Sequence, residues 1–571
     1  MTGEFQVMGQ NAAALFTLKL HRGDGMTLVA MNWKVGEPPN DFVGFAIQYK
    51  EPGGDKFYAL KNRIGFPGTD ATVNPNALST RLSPIQKFRW VHFPRNAEMN
   101  GEFVYEVTPV FMNATGEFSY GEPQQAAIEL RRETFPGKLN VAFTRGFVSS
   151  QAFVDRYGSA GPISTLLPPN ADAGLDFVPT HPKAKEALAW MGFEARSAII
   201  ELLDQAIANA DAKVRVVAYD LSEAEFVKRL KKLGKRLKII IDNSDKHGEP
   251  GSAESEAARR LQKTAGAANV KRQKMGGLQH NKTIVVDGPT IKAAVCGSTN
   301  FTWRGFFVQS NNAVVVQGKR AIAPFIRSFD DYWNNDKASD FGLTASAAMT
   351  DLGLKNINAK IVFSPHAAAN AVLNTVADDI ANNTESSLFY SLAFLYQTPG
   401  VILNAINKVT NDDKIFVYGI SDKKVGGIVL LKPDGNKAPV NPAALEKNLP
   451  EPFKSEPTGG GGTRLHHKFL VIDFDKPTAR VYFGSYNFSV AADVKNGENL
   501  VLIRDRRIAV SYMIEALRIF DHYHFRVAQA EAKKARKKLL LAKPPSNAGE
   551  KPWWRDDYQN AVKIRDRELF S

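Results

Sequence analysis

His280 and Lys282 lie two residues apart in LQHNKTIVVDG, His466 and Lys468 lie two apart in LHHKFLVIDFD, and each stretch contains an aspartate five residues past its lysine, Asp287 or Asp473. On an extended chain residues two apart project to one face, so each stretch presents an imidazole beside an ammonium group. A short connection then leads to GSTN, residues 297–300, or to GSYN, residues 484–487. Small residues there, Ser298 and Ser485 among them, admit a ligand closely, and the amides of Asn300 and Asn487 add hydrogen-bond donors. Two imidazoles, two ammonium groups and two amides are an inventory for substitution at phosphorus. One imidazole attacks, the other protonates the leaving oxygen, and the cations offset the developing charge. Neither role requires a metal, so no metal and no cofactor is expected. His467 should point to the opposite strand face and is read as structural.

Strands that carry such groups need a frame, and the frame repeats. From Ala14 to about Leu130 apolar residues alternate in short runs between Gly, Pro and Asn turns, as in EFVYEVTPVFMNATGEF. This pattern predicts an N-terminal antiparallel β-sandwich over residues 1–132, followed by a Pro-rich connector over 133–190. Next, ARSAIIELLDQAIANA reads as a helix, KVRVVAYDL as a strand, SEAEFVKRLKKLG as a helix capped by its Ser, and LKIIIDNS as a strand. The order returns in AAANAVLNTVADDIANN, SSLFYSLAFL, TPGVILNAINKV and DKIFVYGISD. His280 and His466 are 186 positions apart, and RSFDDYW and RIFDHYH are 191 apart. A near-constant offset predicts two duplicated α/β lobes, over 191–345 and 355–530, with buried strands between helices. TGGGGT, residues 458–463, reads as a flexible loop beside the site. A basic tail over 531–571 closes the chain, and its EAKKARKKLLLAK places six basic residues against one acid. Trp553 and Trp554 are expected to dock on the body of the protein.

The paired H-x-K-x4-D stretches, each trailed by G-S-x-N, resemble the phospholipase D superfamily from about Ala195 to Phe525. That resemblance implies two lobes that meet in one pseudo-twofold active site, and a covalent phosphohistidine that is hydrolysed or passed to an alcohol. It makes His280 and His466 the nucleophile and the general acid. Lys282, Lys468, Asn300 and Asn487 would bind phosphate, while Asp287, Asp473, Ser298 and Ser485 would support the motif loops. Many members also place a carboxylate after each motif to orient its histidine. Glu498 in NGENLVLI holds that place after the second motif, but Asn311 in QSNNAVVV holds it after the first. With Glu498 serving His466, that ring would keep its proton and act as the acid, leaving neutral His280 as nucleophile. The amide also resembles the tyrosyl-DNA phosphodiesterase branch. In the N-terminal part, Trp33, Tyr49 and Tyr105 resemble the fibronectin type III pattern, which implies an interaction or spacing module and a protein partner.

With 73 Lys and Arg against 59 Asp and Glu, the net charge of +14 attracts anions and speaks for solubility as much as for any partner. One cysteine, Cys296, excludes an internal disulfide framework and a multi-cysteine zinc site, and its apolar setting reads as structural. The N-terminus has no basic region ahead of its apolar stretch, and no apolar run reaches ~18 residues. The expected location is the cytoplasm, with signal-independent export left open. The expected partner is an anionic phosphodiester: a phospholipid by a narrow preference, a nucleic acid as the alternative, and a non-catalytic binding scaffold third. The basic tail is a candidate grip on membrane or nucleic acid, and equally a solvated helix.

Overall fold

Antiparallel sheets in one part of the chain and mixed sheets in the other mark two differently built units. The structure, a computed structural model, describes residues 4–130, 134–146, 153, 156–396, 398–422, 428–433, 437–440 and 465–571. The chain packs as residues 1–132 with 510–571, and as residues 133–509.

In the first unit, Gln6–Met8, Phe16–Gly23, Met26–Trp33 and Arg89–His92 form one antiparallel sheet. Phe42–Lys50 and Glu102–Met112 centre a second, joined by Tyr58–Ala59, Phe118–Tyr120 and Gln124–Glu129. Their inward residues, Phe16, Phe45, Tyr105 and Ile128 among them, share one core. The end of the chain packs here as well. Trp554 is buried in that core, Trp553 stacks on Phe88 at 5.3 Å, and Arg89 forks between Asp521 and Asp566 at 2.8 Å each. The tail therefore supplies core aromatic residues that the strands alone do not provide. Lys533–Leu540, its basic stretch, is for the most part exposed.

The second unit contains two mixed sheets. In the first, Lys213–Ala218 runs parallel to Leu237–Asp242 and antiparallel to Lys282–Asp287; Lys292–Gly297, Asn312–Gln317 and Leu139–Phe143 follow in order. In the second, Ser387–Leu392 runs parallel to Phe416–Asp422 and antiparallel to Lys468–Ile472; Arg480–Gly484, Glu498–Arg504 and Asn358–Ser364 follow. The six strands pair in the same sense in both sheets. The outer edges differ, because Val270–Gln273 adds in parallel and Ile428–Leu431 in antiparallel fashion. All residues of Lys468–Ile472 and Ser387–Leu392 are buried, as central strands covered on both faces require. Leu373–Asn383 and Val401–Thr410 cover one face of the second sheet and share its core through Ile380, Ile406 and Leu470.

Two local expectations are corrected. The segment read as a connector supplies the strand Leu139–Phe143, a five-residue run after a Pro-Gly turn that is too short to stand out by pattern. The helix Ala224–Leu233 is capped by Glu223, whose carboxylate accepts the Phe226 N–H at 2.5 Å, and not by Ser222. The Ser222 N–H instead donates to the Phe301 carbonyl. TGGGGT lies outside the described residues.

Candidate active site

The strands Lys282–Asp287 and Lys468–Ile472 occupy the same place in their sheets, and each carries its histidine just before its first residue. His280, Lys282, His466 and Lys468 are each 5 % exposed or less. Each lysine turns back on its motif, Lys282 Nζ donating to the His280 carbonyl at 2.5 Å and Lys468 Nζ to the His466 carbonyl at 2.9 Å.

The two motifs meet through reciprocal exchanges. The His466 N–H donates to the Ser310 carbonyl, and the Gly497 N–H donates to the Leu278 carbonyl. Glu498, after the second motif, lies with Oε2 2.7 Å from Nδ1 of His280. Asn311, after the first, lies with Oδ1 2.8 Å from Nδ1 of His466, which is also 2.9 Å from the Ser298 carbonyl. The expected pairing is thus reversed: the carboxylate serves His280 and the amide serves His466. Nothing in chain order reveals the crossing, since each partner follows the motif whose histidine it does not touch. The orientation of Asn311 is fixed, because its Nδ2 donates to the Gly305 carbonyl at 2.9 Å. Its oxygen must accept, so His466 carries hydrogen on Nδ1.

The trailing motifs hold these partners. Ser298 Oγ accepts the Asn312 N–H at 3.0 Å and Ser485 Oγ accepts the Asn499 N–H at 2.9 Å, which anchors the residues next to Asn311 and Glu498. A side chain at Gly297 or Gly484, both at positive φ, would strike the carbonyls of Asn312 and Asn499. Among the described residues the Oδ1 atoms of Asn300 and Asn487 are buried without a hydrogen-bond partner. The two aspartates differ. Asp473 is fully buried and its carboxylate accepts the N–H groups of Glu385, Ser386 and Ser387, whereas Asp287 is partly exposed and pairs with Lys292 at 2.6 Å. His467 is buried against Phe143 and Phe469.

Burial dominates the electrostatics. It holds His280 well below its ordinary value, helped by Lys282, Lys468 and His466, and it holds His466 low with the help of Lys468 and Lys282. Burial pushes Glu498 up to about 8 against the pull of Lys282 and Lys468. It brings Lys282 down to about 8 against Glu498, Asp220 and Asp242. Charge is therefore disfavoured on both rings, while Glu498 and Lys282 are brought to a common value of about 8.

Sequence reasoning missed Tyr219, Asp220, Asp242 and His247. Tyr219 packs edge-on against His280 at 4.5 Å and against His247 at 4.7 Å, and Lys282 Nζ sits over its ring at 4.7 Å. The available signal was position: YD and D end the apolar strands VVAYD and IIID, and ligand-binding groups gather at the carboxyl ends of such strands. Among the described residues, Asp220, His247 and Glu254 could hold a metal, their ligand atoms lying within 4.8 Å of one another. Both His247 nitrogens already face carboxylates at 2.8 Å, those of Asp220 and Asp242, which leaves no lone pair for an ion.

Residues 203–333 and 392–520 match the sequence family described as cardiolipin synthase, PLD-like domain. The matched segments, somewhat less than half of the chain, are similar to a PLD-like domain. A phospholipase D of Rickettsia prowazekii (strain Madrid E) is 48% identical over 48 residues, 8% of this chain and 22% of that protein. The phosphatidylserine synthase of Haemophilus influenzae Rd KW20 is 14% identical over 60% of this chain and 91% of its own, with a TM-score of 0.42. Nuc of Salmonella typhimurium, a phospholipase D family member, is 26% identical over 24% of this chain and 87% of its own, with a TM-score of 0.20. The family match and the rickettsial match support the phospholipase D superfamily, and the chain spans about a fifth of the length of that rickettsial relative. Among the described residues no helix is long and apolar enough to cross a membrane.

Proposed function

We propose that the PLD-like domain is a phosphodiesterase with one pseudo-twofold active site, made by duplicated lobes, that works through a covalent phosphohistidine. The observation that carries this reading is the reciprocal hold on the two histidines, His280 by Glu498 and His466 by Asn311. Attack by His280 on phosphorus places positive charge on its ring, and the Glu498 carboxylate at Nδ1 stabilises that cation. His466, entering the step as imidazolium with its Nδ1–H held by two neutral oxygens, gives its Nε2 proton to the leaving alcohol and is left neutral. This order keeps the roles expected from sequence but gives them a different cause. Lys282, Lys468, Asn300 and Asn487 bind the phosphoryl oxygens. Asp473, Asp287, Ser298 and Ser485 support the loops.

A phospholipid is the favoured substrate. The family description and the rickettsial relative's name are lipid terms, and Lys468 sits over the apolar Phe394 ring at 5.9 Å, a surface suited to an acyl-bearing alcohol. The exposed basic stretch around Lys534 then contacts the anionic bilayer. The N-terminal sandwich, with its fibronectin III-like pattern, serves as an interaction module. The +14 charge favours a nuclease as the second reading. Purified chain in EDTA, wild type beside His280→Ala, assayed on phospholipid vesicles and on DNA and RNA, separates the two. Headgroup release lost in the variant is the expected result; nucleic-acid cleavage alone would replace the lipid reading.

A further inference from the structure

Asn300 reaches the proposed site with a support that, among the described residues, Asn487 lacks. Its Nδ2 donates to Oδ2 of Asp220. The other Asp220 oxygen lies 2.8 Å from His247 Nε2, and His247 Nδ1 lies 2.8 Å from Asp242 Oδ2. The remaining Asp242 oxygen accepts the Gln279 N–H at 2.6 Å, one residue before His280. A continuous line of side chains therefore joins a phosphate-binding amide to the entry of the strand that carries His280 and Lys282. Asp242 is fully buried and Tyr219 fills the space between His247 and His280, so the line has little freedom to slacken.

Among the described residues the second sheet has no counterpart. Lys282 pairs in register with Ala218 and Lys468 with Leu392, so the position of Asp220 is taken by Phe394, which offers Asn487 no carboxylate. One amide is held before the ligand arrives and the other is not.

We propose that His247 is a positioning residue for the phosphate site: donating from both nitrogens, it ties Asp220 to Asp242 and so holds Asn300 at a fixed distance from His280. This rests on the phosphodiesterase reading above. An amide already oriented loses less freedom on binding, and the gain appears as affinity for the phosphoryl group. Because His247 acts through Asn300, its effect must vanish when the Asn300 amide is gone, which a merely structural role would not produce.

The test is a double-mutant cycle on the full chain, read as the affinity for inorganic phosphate by titration calorimetry and as KM for a phosphodiester. The variants are His247→Ala, Asn300→Ala and the pair. Each single change is expected to weaken phosphate binding about ten-fold, and the pair no more than Asn300→Ala alone. Asp220→Ala cuts the same line one residue nearer Asn300 and must behave alike, which keeps the test open if His247→Ala does not fold. Wild-type affinity in the variants, or losses that multiply in the pair, would overturn the proposal. Cleavage with multiplied losses overturns the role of His247 alone. Phosphate binding without cleavage overturns the phosphodiesterase reading while the cycle still decides His247, and a wild-type chain that binds no phosphate overturns both.

Discussion

At the scale of residues, the site depends on which partner each histidine has. Glu498 touches His280, so Glu498→Gln removes the group that offsets the charge forming on His280 during attack. The rate at the optimum should fall by about 10²–10³-fold, the scale of one lost electrostatic group. A wild-type rate would contradict that role. Stability gives an independent reading. Burial raises Glu498 from its ordinary value to about 8. A group raised in the folded state contributes stability that is fully present below its unfolded pKa and is lost as pH rises through about 8. Glutamine does not titrate, so the melting temperature of Glu498→Gln relative to wild type should climb between pH 5 and 9. Parallel curves would show that Glu498 is not held protonated. At His466, Asn311→Asp should add a carboxylate and move the alkaline limb, which the acid controls, to higher pH.

At the scale of elements, the motif aspartates should separate. Asp473 is fully buried at positive φ and receives three backbone N–H groups of residues 385–387, so it fixes the start of a central strand. Asp473→Ala orphans those donors and should cost about 3 kcal/mol or more. Asp287 makes a partly exposed ion pair with Lys292, and Asp287→Ala should cost less than about 1 kcal/mol. Chemical denaturation of the two variants reads the difference directly, and equal losses would contradict it. This scale also shows what the sequence revealed. Spacing was enough to expose both His-Lys pairs, both G-S-x-N turns and eight helices and strands, because period and composition are local. The crossing of Glu498 to His280 was hidden, because it depends on how two sheets face each other. The Asp220–His247–Asp242 line was hidden for the same reason: its members come from two strand ends and a turn, and none sits in a recognisable spacing.

At the scale of the whole molecule, the chain's end belongs to its beginning. Residues 510–571 pack with the N-terminal sheets, where Trp554 is 1 % exposed and its Nε1 donates to the Pro39 carbonyl at 3.2 Å. Trp554→Ala should destabilise that unit by about 3–5 kcal/mol, the range for a large aromatic residue removed from a core, seen as an earlier melting step in calorimetry. Phosphodiester cleavage should survive above that step, because the groups proposed for it all lie in residues 133–509. Loss of both together would make the sandwich a part of the catalytic fold.

The measurement that bears most directly on this account is to trap the covalent intermediate. Wild-type chain in EDTA, mixed with a phosphodiester and quenched within one turnover, would be digested and its phosphorylated peptide sequenced by mass spectrometry under conditions that preserve phosphohistidine. The account predicts phosphate on His280, and none in His280→Ala. Phosphate on His466, or turnover without any phosphohistidine, would contradict it.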